Sequence, residues 1–360
     1  MTQGWRPLWW LTLKGLLGAY RYRGPVSSHF DGELFGNYPP LNPIGRSDFK
    51  RLRQERKSMT PWQWREIEST PPPVAQVDDD SVRITWVNHS TFLIQFAGLN
   101  LLTDPVWSQR VSPFRFVGPK RYHAPGIPLE ALPDVDAVLL SHNHYDHCDL
   151  ATLKHLIHRF PAMRVIAPLG HDQLLSDLGV RHRQILDWWS YCKIKGVSVT
   201  LTPARHWGAR SLWDRGSTLW GSFVIDTPQG NLYFGGDTGF ADHFVRTRAR
   251  LGPMAISLLP IGAFRPQWFM QDVHMGPAEA LKAHRQLGSH VSIGCHFGCF
   301  SLANDEQDEP ARVLRNECAK QNVSAEQFRL PIPGRPIVVR SSPYDTSPSE
   351  KHATDTHNPT

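Results

Sequence analysis

No run of about 18 apolar residues occurs in the 360-residue chain, so the sequence offers no membrane-spanning helix. Cysteine is scarce and odd in number. Cys148, Cys192, Cys295, Cys299 and Cys318 cannot form a complete internal disulfide framework, and they point to a reducing, cytoplasmic setting. Concentrated Lys/Arg blocks are also missing. The balance of 39 basic against 33 acidic residues, a net +6, permits an anionic partner but lacks the basic repeat of a dedicated nucleic-acid binder. With 40% hydrophobic and 20% charged residues the chain is too apolar to be disordered. Its length suits two domains, or one large α/β domain with an N-terminal extension. What is plentiful is 18 His, 13 Trp and 30 Pro.

Along the chain, residues 1–80 read as an extension that wraps a core, rich in turns at Tyr38-Pro39-Pro40 and ending in Pro71-Pro72-Pro73. Near its start, Leu8 to Leu17 interleaves Trp and Leu with Lys14. That pattern lacks the unbroken apolar stretch and Ala-x-Ala site of a signal peptide. It reads instead as an amphipathic helix, either packed on the main domain or lying at a lipid interface, with Arg6, Lys14, Arg21 and Arg23 toward anionic heads. Regular structure is expected over residues 81–335. Strands are predicted at Val82 to Val87, Thr91 to Phe96 and Leu99 to Thr103, then at Asp136 to Leu140 and Arg164 to Ala167 around a helix from Asp149 to Arg159. Further strands are expected at Val197 to Thr202, Ser222 to Asp226, Asn231 to Phe234, Ala255 to Leu259 and His290 to Gly294, with helices at Pro277 to Leu287 and Pro310 to Gln321. Strands first and alternating units later imply helices covering paired sheets. Residues 336–360 are expected to form a disordered tail.

The chemistry concentrates in Ser141-His142-Asn143-His144-Tyr145-Asp146-His147. Neutral imidazole and carboxylate are the ligands that zinc and its neighbours prefer, and one loop presenting three His and an Asp can serve two metal ions. Three other segments place such a residue just beyond a predicted strand: His206, Asp237 within Gly235-Gly236-Asp237-Thr238-Gly239, and His296. Active sites of α/β architectures assemble at the carboxyl ends of strands, so these three complete a set of seven.

The spacing His142-x-His144-x-Asp146-His147, followed by His206, Asp237 and His296, resembles the metallo-β-lactamase superfamily. More narrowly, six segments are similar to N-acylphosphatidylethanolamine-hydrolysing phospholipase D and its bacterial relatives: Val87-Asn88-His89-Ser90-Thr91, Leu102-Thr103-Asp104-Pro105, Gly118-Pro119-Lys120-Arg121, the His-rich loop, the glycines around Asp237, and His274-Met275-x-Pro277-x-Glu279-Ala280. His29-Phe30-Asp31-Gly32 matches a further segment common in those relatives. The resemblance implies an α/β fold, the metallo-β-lactamase αβ/βα four-layer sandwich. It implies one metal held by His142, His144 and His206, the other by Asp146, His147 and His296, and Asp237 bridging. It also implies a phospholipid substrate and a homodimer. Zinc is the expected metal, two ions per chain, although an all-His/Asp set also accepts manganese or iron.

Two adjacent metal ions would present a bridging hydroxide as nucleophile and polarise a phosphoryl oxygen. By the resemblance, His274 stands beside the leaving group, where it would be catalytic together with Asp237; capping the helix before Pro277 is its alternative role. Val273 stands where the phospholipase D often has Gln. Asp104 is a candidate to orient a ligand His through its second ring nitrogen, or simply a turn residue. His89 is a candidate to line the site; Asn88 before it replaces a Gly and can take left-handed angles. The cysteines read as buried thiols without a ligand role. The function implied is a dinuclear zinc phosphodiesterase releasing N-acylethanolamine and phosphatidic acid, in peripheral contact with the inner face of a membrane. A hydrolase of a soluble phosphodiester or lactone is the second reading, and a non-catalytic or nucleic-acid-binding member of the fold the third.

Overall fold

The computed structural model describes residues 6–78 and 80–340. Two helices, α1 (Leu8–Leu16) and α2 (Arg46–Arg56), lie in the N-terminal extension. A meander of β1 (Ser81–Asn88), β2 (Thr91–Phe96) and β3 (Leu99–Thr103) follows, then β4 (Ala137–Leu139), α3 (Leu150–Arg159), β5 (Arg164–Pro168), α4 (Asp172–Leu178) and β6 (His182–Leu186). The second half runs β7 (Tyr191–Ile194), β8 (Val197–Thr202), β9 (Ser222–Thr227), β10 (Gly230–Phe234), α5 (His243–Leu251), β11 (Met254–Pro260), α6 (Gln267–Met270), α7 (Pro277–Leu287), β12 (Val291–Cys295), α8 (Glu309–Lys320), β13 (Phe328–Arg329) and β14 (Pro336–Arg340).

These strands form two seven-stranded mixed sheets, ordered β14-β1-β2-β3-β4-β5-β6 and β13-β12-β11-β10-β9-β8-β7. Side chains alternate between faces along a strand, and both faces of these sheets are covered. Phe92, Ile94 and Phe96 of β2 meet Leu201, Phe223, Phe234 and Ile293 in the core between the sheets, whereas Leu93 joins a second cluster with Val138, Leu153 and Leu156 under α3. Across the molecule Tyr233, Leu259, Leu281 and Leu314 form a third cluster under α7 and α8. The layers are therefore helix, sheet, sheet, helix, as expected from the resemblance.

Local signals set the helix starts. Asp149 caps α3, its Oδ1 accepting from Ala151 N at 3.1 Å. Gly276 precedes Pro277 at the start of α7, and Glu279 folds back to accept from Gly276 N at 3.1 Å. The parallel pairs β3·β4, β4·β5, β10·β11 and β11·β12 point their carboxyl ends the same way within each sheet. That arrangement delivers the loops after β3, β4, β8, β10 and β12 to a common site.

The domain boundary drawn after residue 335 needs correction. Pro336–Arg340 is an edge strand, with Ile337 opposite Ile84 and Val339 opposite Val82 of β1. Three β-branched residues, Ile337, Val338 and Val339, pairing with the first strand of the core override the tail-like composition around them. The rest of the expected tail, residues 341–360, lies outside the described residues. Strands β6 and β7 are not evident in the sequence, because they are short edge-side strands: β6 is mostly polar with only Leu186 buried, and β7 has just four residues. Among the described residues no helix is long and apolar enough to cross a membrane.

Candidate metal centre

His142, His144 and Asp146-His147 occupy the irregular loop between β4 and α3, His206 the loop after β8, Asp237 the turn after β10, and His296 the first position after β12. The fold brings all seven together. His142 Nε2 lies 2.9 Å from His144 Nδ1, and His206 Nε2 lies 3.2 Å from the same nitrogen. On the other side, His147 Nε2 and His296 Nε2 stand 3.3 and 3.5 Å from Asp146 Oδ2. Asp237 reaches both groups: Oδ2 is 3.2 Å from His147 Nε2 and 3.8 Å from His206 Nε2, while Oδ1 is 3.1 Å from His296 Nε2.

The donor set fits divalent metal ions. Three imidazole nitrogens that face one another within 4.8 Å present lone pairs to a common point, a repulsive arrangement that a cation resolves. The second group, Asp146, His147 and His296, carries carboxylate and imidazole atoms at the same close range, joined by His89. None of these groups includes a cysteine, and all five cysteines are buried and free.

Burial favours the neutral form of an imidazole, and His142 and His206 are held well below the usual histidine range by it. Burial also lowers His144 to about 4. His147 and His296 behave oppositely. Burial works against their charge, yet the Asp237 carboxylate, with Asp146, outweighs it and raises His147 well above the ordinary value and His296 to about 9. In turn Asp237, although buried, is held well below the usual carboxylate range by His147 and His296.

Outer contacts orient the candidate ligands. Asp104 is fully buried; its carboxylate accepts from Ser141 N at 2.7 Å and Ser141 Oγ at 2.6 Å, and pairs with His147 Nδ1 at 2.7 Å. It thus meets the second nitrogen of a candidate ligand His, in addition to its place in the turn. His206 Nδ1 is 2.9 Å from the Val273 carbonyl, a contact that any side chain at position 273 would allow. His89 enters the site, its Nε2 3.0 Å from Asp146 Oδ2 and its ring 4.0 Å from that of His296. The left-handed angle falls on His89 itself, with φ 44°, rather than on Asn88, which stays in the strand. His274 turns its Nδ1 to 3.8 Å from Asp237 Oδ2; the helix start at Pro277 belongs to Gly276 instead. Burial lowers His274 to about 4, so it stands there as a neutral imidazole.

One of the further neighbours was not singled out from sequence. Asn37, in the wrapping extension, donates from Nδ2 to the His206 carbonyl at 2.7 Å. Its signal was the preceding His29-Phe30-Asp31-Gly32 segment, which fastens the extension: His29 Nε2 is 2.7 Å from Asp187 Oδ1, and its ring stacks on Trp188. Trp207 packs edge-on against His144 with ring centroids 4.3 Å apart, an aromatic wall beside the centre. Arg121, buried, donates to the carbonyls of Val106 and Ser108 and shapes the loop after Asp104.

Residues 99–297, over half the chain and all seven site residues, match the model of the β-lactamase superfamily domain. The chain belongs to the metallo-β-lactamase superfamily. It is a metal-dependent hydrolase by family. Similar proteins include an uncharacterised protein of Mycobacterium tuberculosis, 39% identical over 273 residues, 74% of this chain and 71% of that one. The N-acyl-phosphatidylethanolamine-hydrolyzing phospholipase D 1 of Caenorhabditis elegans is 35% identical over 62% of this chain and 65% of its own length. The mitochondrial enzyme of that name from Saccharomyces cerevisiae is 34% identical over 64% of this chain and 50% of its own. Among solved structures, a metallo-hydrolase from Ignicoccus hospitalis aligns over 73% of this chain and all of its own, with a TM-score of 0.53 and 20% identity. An isothiocyanate hydrolase from Delia radicum gut bacteria aligns over 71% and 98%, with a TM-score of 0.55 and 20% identity. At these identities the two structures speak for the fold.

Proposed function

We propose that the protein is a dinuclear zinc phosphodiesterase of phospholipase D type, cleaving N-acylphosphatidylethanolamine-like phospholipids to N-acylethanolamine and phosphatidic acid. The observation that carries this reading is the seven-residue His/Asp centre in a chain 35% identical to a phospholipase D of that specificity. His142, His144 and His206 would hold one ion, Asp146, His147 and His296 the other, with Asp237 between them. When bound, the pair supplies Lewis acidity and lowers the pKa of a water. The chain's own groups do the rest. Asp104 keeps the His147 Nδ1 proton on the outer side of the ring, leaving Nε2 free to bind. His274, neutral and 12% exposed, offers an N–H toward the oxygen that departs from phosphorus.

The surface around α1 supports a lipid partner at a membrane face. Trp9, Leu13 and Leu17 are exposed there, and a mostly apolar cavity of about 840 Å³ lies between α1 and residues 108–116, lined in part by Phe114, Phe116, Arg110 and Arg115. Its volume lies in the range of roughly 300 to 1,000 Å³ typical of small-molecule pockets. Tyr145, between ligand candidates His144 and Asp146, lines it as well. Apolar side chains flanked by guanidinium groups suit an anionic bilayer.

The test is mass spectrometry of the products from N-acylphosphatidylethanolamine vesicles, with zinc-loaded protein beside its Asp237→Asn variant. N-acylethanolamine and phosphatidic acid in equal amounts, with at least a hundredfold loss in the variant, are expected. Hydrolysis of soluble esters only would refute the lipid reading. Full turnover by metal-bound Asp237→Asn would refute the dinuclear one.

A further inference from the structure

Arg210 is outside the seven-residue set, yet it is 3% exposed, buried like His142 and His147 and more so than the half-buried His144 and Asp146. It follows His206 in the loop after β8. Its Nη1 donates to two carbonyls, Asn143 O at 2.9 Å and Cys148 O at 3.0 Å. Those carbonyls bracket His144, Tyr145, Asp146 and His147. The bracketed stretch is neither helix nor strand, and its backbone hydrogen bonds run from His147 N and Cys148 N to the single carbonyl of His144.

The contact is reciprocal. Tyr145 Oη donates to the Arg210 carbonyl at 2.9 Å, and the guanidinium carbon lies 4.0 Å from the centre of the Tyr145 ring. Arg210 is itself held in place: its backbone N donates to the Asp214 carboxylate, which also accepts from Ser211 N and Ser211 Oγ. Gly15 of α1 closes over the side chain, where an added Cβ would lie 3.6 Å from the Arg210 Cβ.

Two carbonyls five positions apart, pinned to one nitrogen, fix the chord of the loop between them. A planar guanidinium can donate along its edge while stacking its face on an aromatic ring, which an ammonium cannot do. We propose that Arg210 is a positioning residue of the metal centre. Its guanidinium holds the 143–148 loop in the shape that turns His144 toward one ligand group and Asp146 and His147 toward the other. This inference rests on reading those residues as metal ligands.

The test compares Arg210→Met, Arg210→Lys and Tyr145→Phe with the unaltered full-length chain. Zn²⁺ and Co²⁺ affinities are measured by chelator competition, the visible spectrum of the Co²⁺ form is recorded at saturation, and the melting of metal-free protein is followed. Arg210→Met is expected to bind metal 10- to 100-fold more weakly, the range seen when groups supporting a ligand are removed, with a changed Co²⁺ spectrum even at saturation. Arg210→Lys recovers part of the affinity, and Tyr145→Phe, which keeps the ring, loses less. Should Arg210→Met fail to fold, the other two carry the comparison. Variants that lower the melting temperature but keep the unaltered affinity and Co²⁺ spectrum overturn the proposal. An unaltered chain that takes up neither ion refutes the ligand reading and this inference together; uptake with unchanged variants refutes this inference alone.

Discussion

Replacing Asp104 by Asn isolates one proton. In the native chain the Asp104 carboxylate receives three donors: Ser141 N, Ser141 Oγ and, at 2.7 Å, His147 Nδ1. When a metal ion displaces the second ring proton, a proton kept on Nδ1 leaves Nε2, which faces Asp237 and Asp146, as the lone pair that binds it. Asn has nearly the same shape and tolerates the left-handed backbone at this position, φ 34°, so the turn survives. Its Oδ1 can still accept from Ser141 N, and the Ser141 hydroxyl can rotate to accept. His147 has no such freedom. Facing an amide NH₂, its Nδ1 must become an acceptor, which moves the ring proton to Nε2 and blocks that atom for a metal. Restoring the binding tautomer leaves two donors opposed in a site with no water access, a cost of about 1 to 3 kcal/mol. That corresponds to metal binding weaker by roughly 10- to 100-fold. Chelator competition measures the affinity, and two-dimensional ¹⁵N–¹H spectra of the imidazoles assign the tautomer. Wild-type affinity in Asp104→Asn, with the His147 proton still on Nδ1, would refute the reasoning.

Two further outcomes follow from other parts of the fold. Asp305 is buried, and burial raises it to about 7 while its Oδ1 accepts from Phe264 N and Arg265 N. Between about pH 4 and 7 the folded state therefore holds a proton that the unfolded chain has lost, so this contribution is full at low pH and falls as pH rises through 7. Stability should drop by roughly 1 to 1.5 kcal/mol from pH 6 to 8 on this account; Asp305→Asn, which keeps the acceptor, should flatten urea-unfolding midpoints over that range, and an unchanged slope would count against it. At the surface around α1, Trp9 is 67% and Phe116 82% exposed. Trp9→Glu and Phe116→Glu should each weaken sedimentation with phosphatidylglycerol-containing vesicles about tenfold or more while leaving the melting temperature unchanged; equal binding by both variants would remove this face from the lipid contact.

The candidate ligands were legible because their chemistry is local in sequence. Four of the seven fall within Ser141 to His147, and the others each lie shortly beyond a strand that its short β-prone run announces: β8 before His206, β10 before Asp237, β12 before His296. Strand β14 escaped because its partner, β1, lies some 250 residues away, and nothing in a five-residue segment with Pro at its head announces that pairing. The same separation hid Asn37, whose reason for being there is a carbonyl 169 positions along the chain.

By itself the sequence determined the set of chemical groups and the order of strands that carries them, because ligand type and a run of apolar, β-prone residues are properties of short segments. Only the tertiary structure decided which nitrogen of each imidazole faces inward, that the positive φ belongs to His89 and not Asn88, and that His274 joins the centre instead of capping α7. It alone showed Arg210 behind the His-rich loop. Those are relations between side chains and carbonyls brought together from separate strands. Their energies depend on distance and burial, which a linear pattern of residues does not encode.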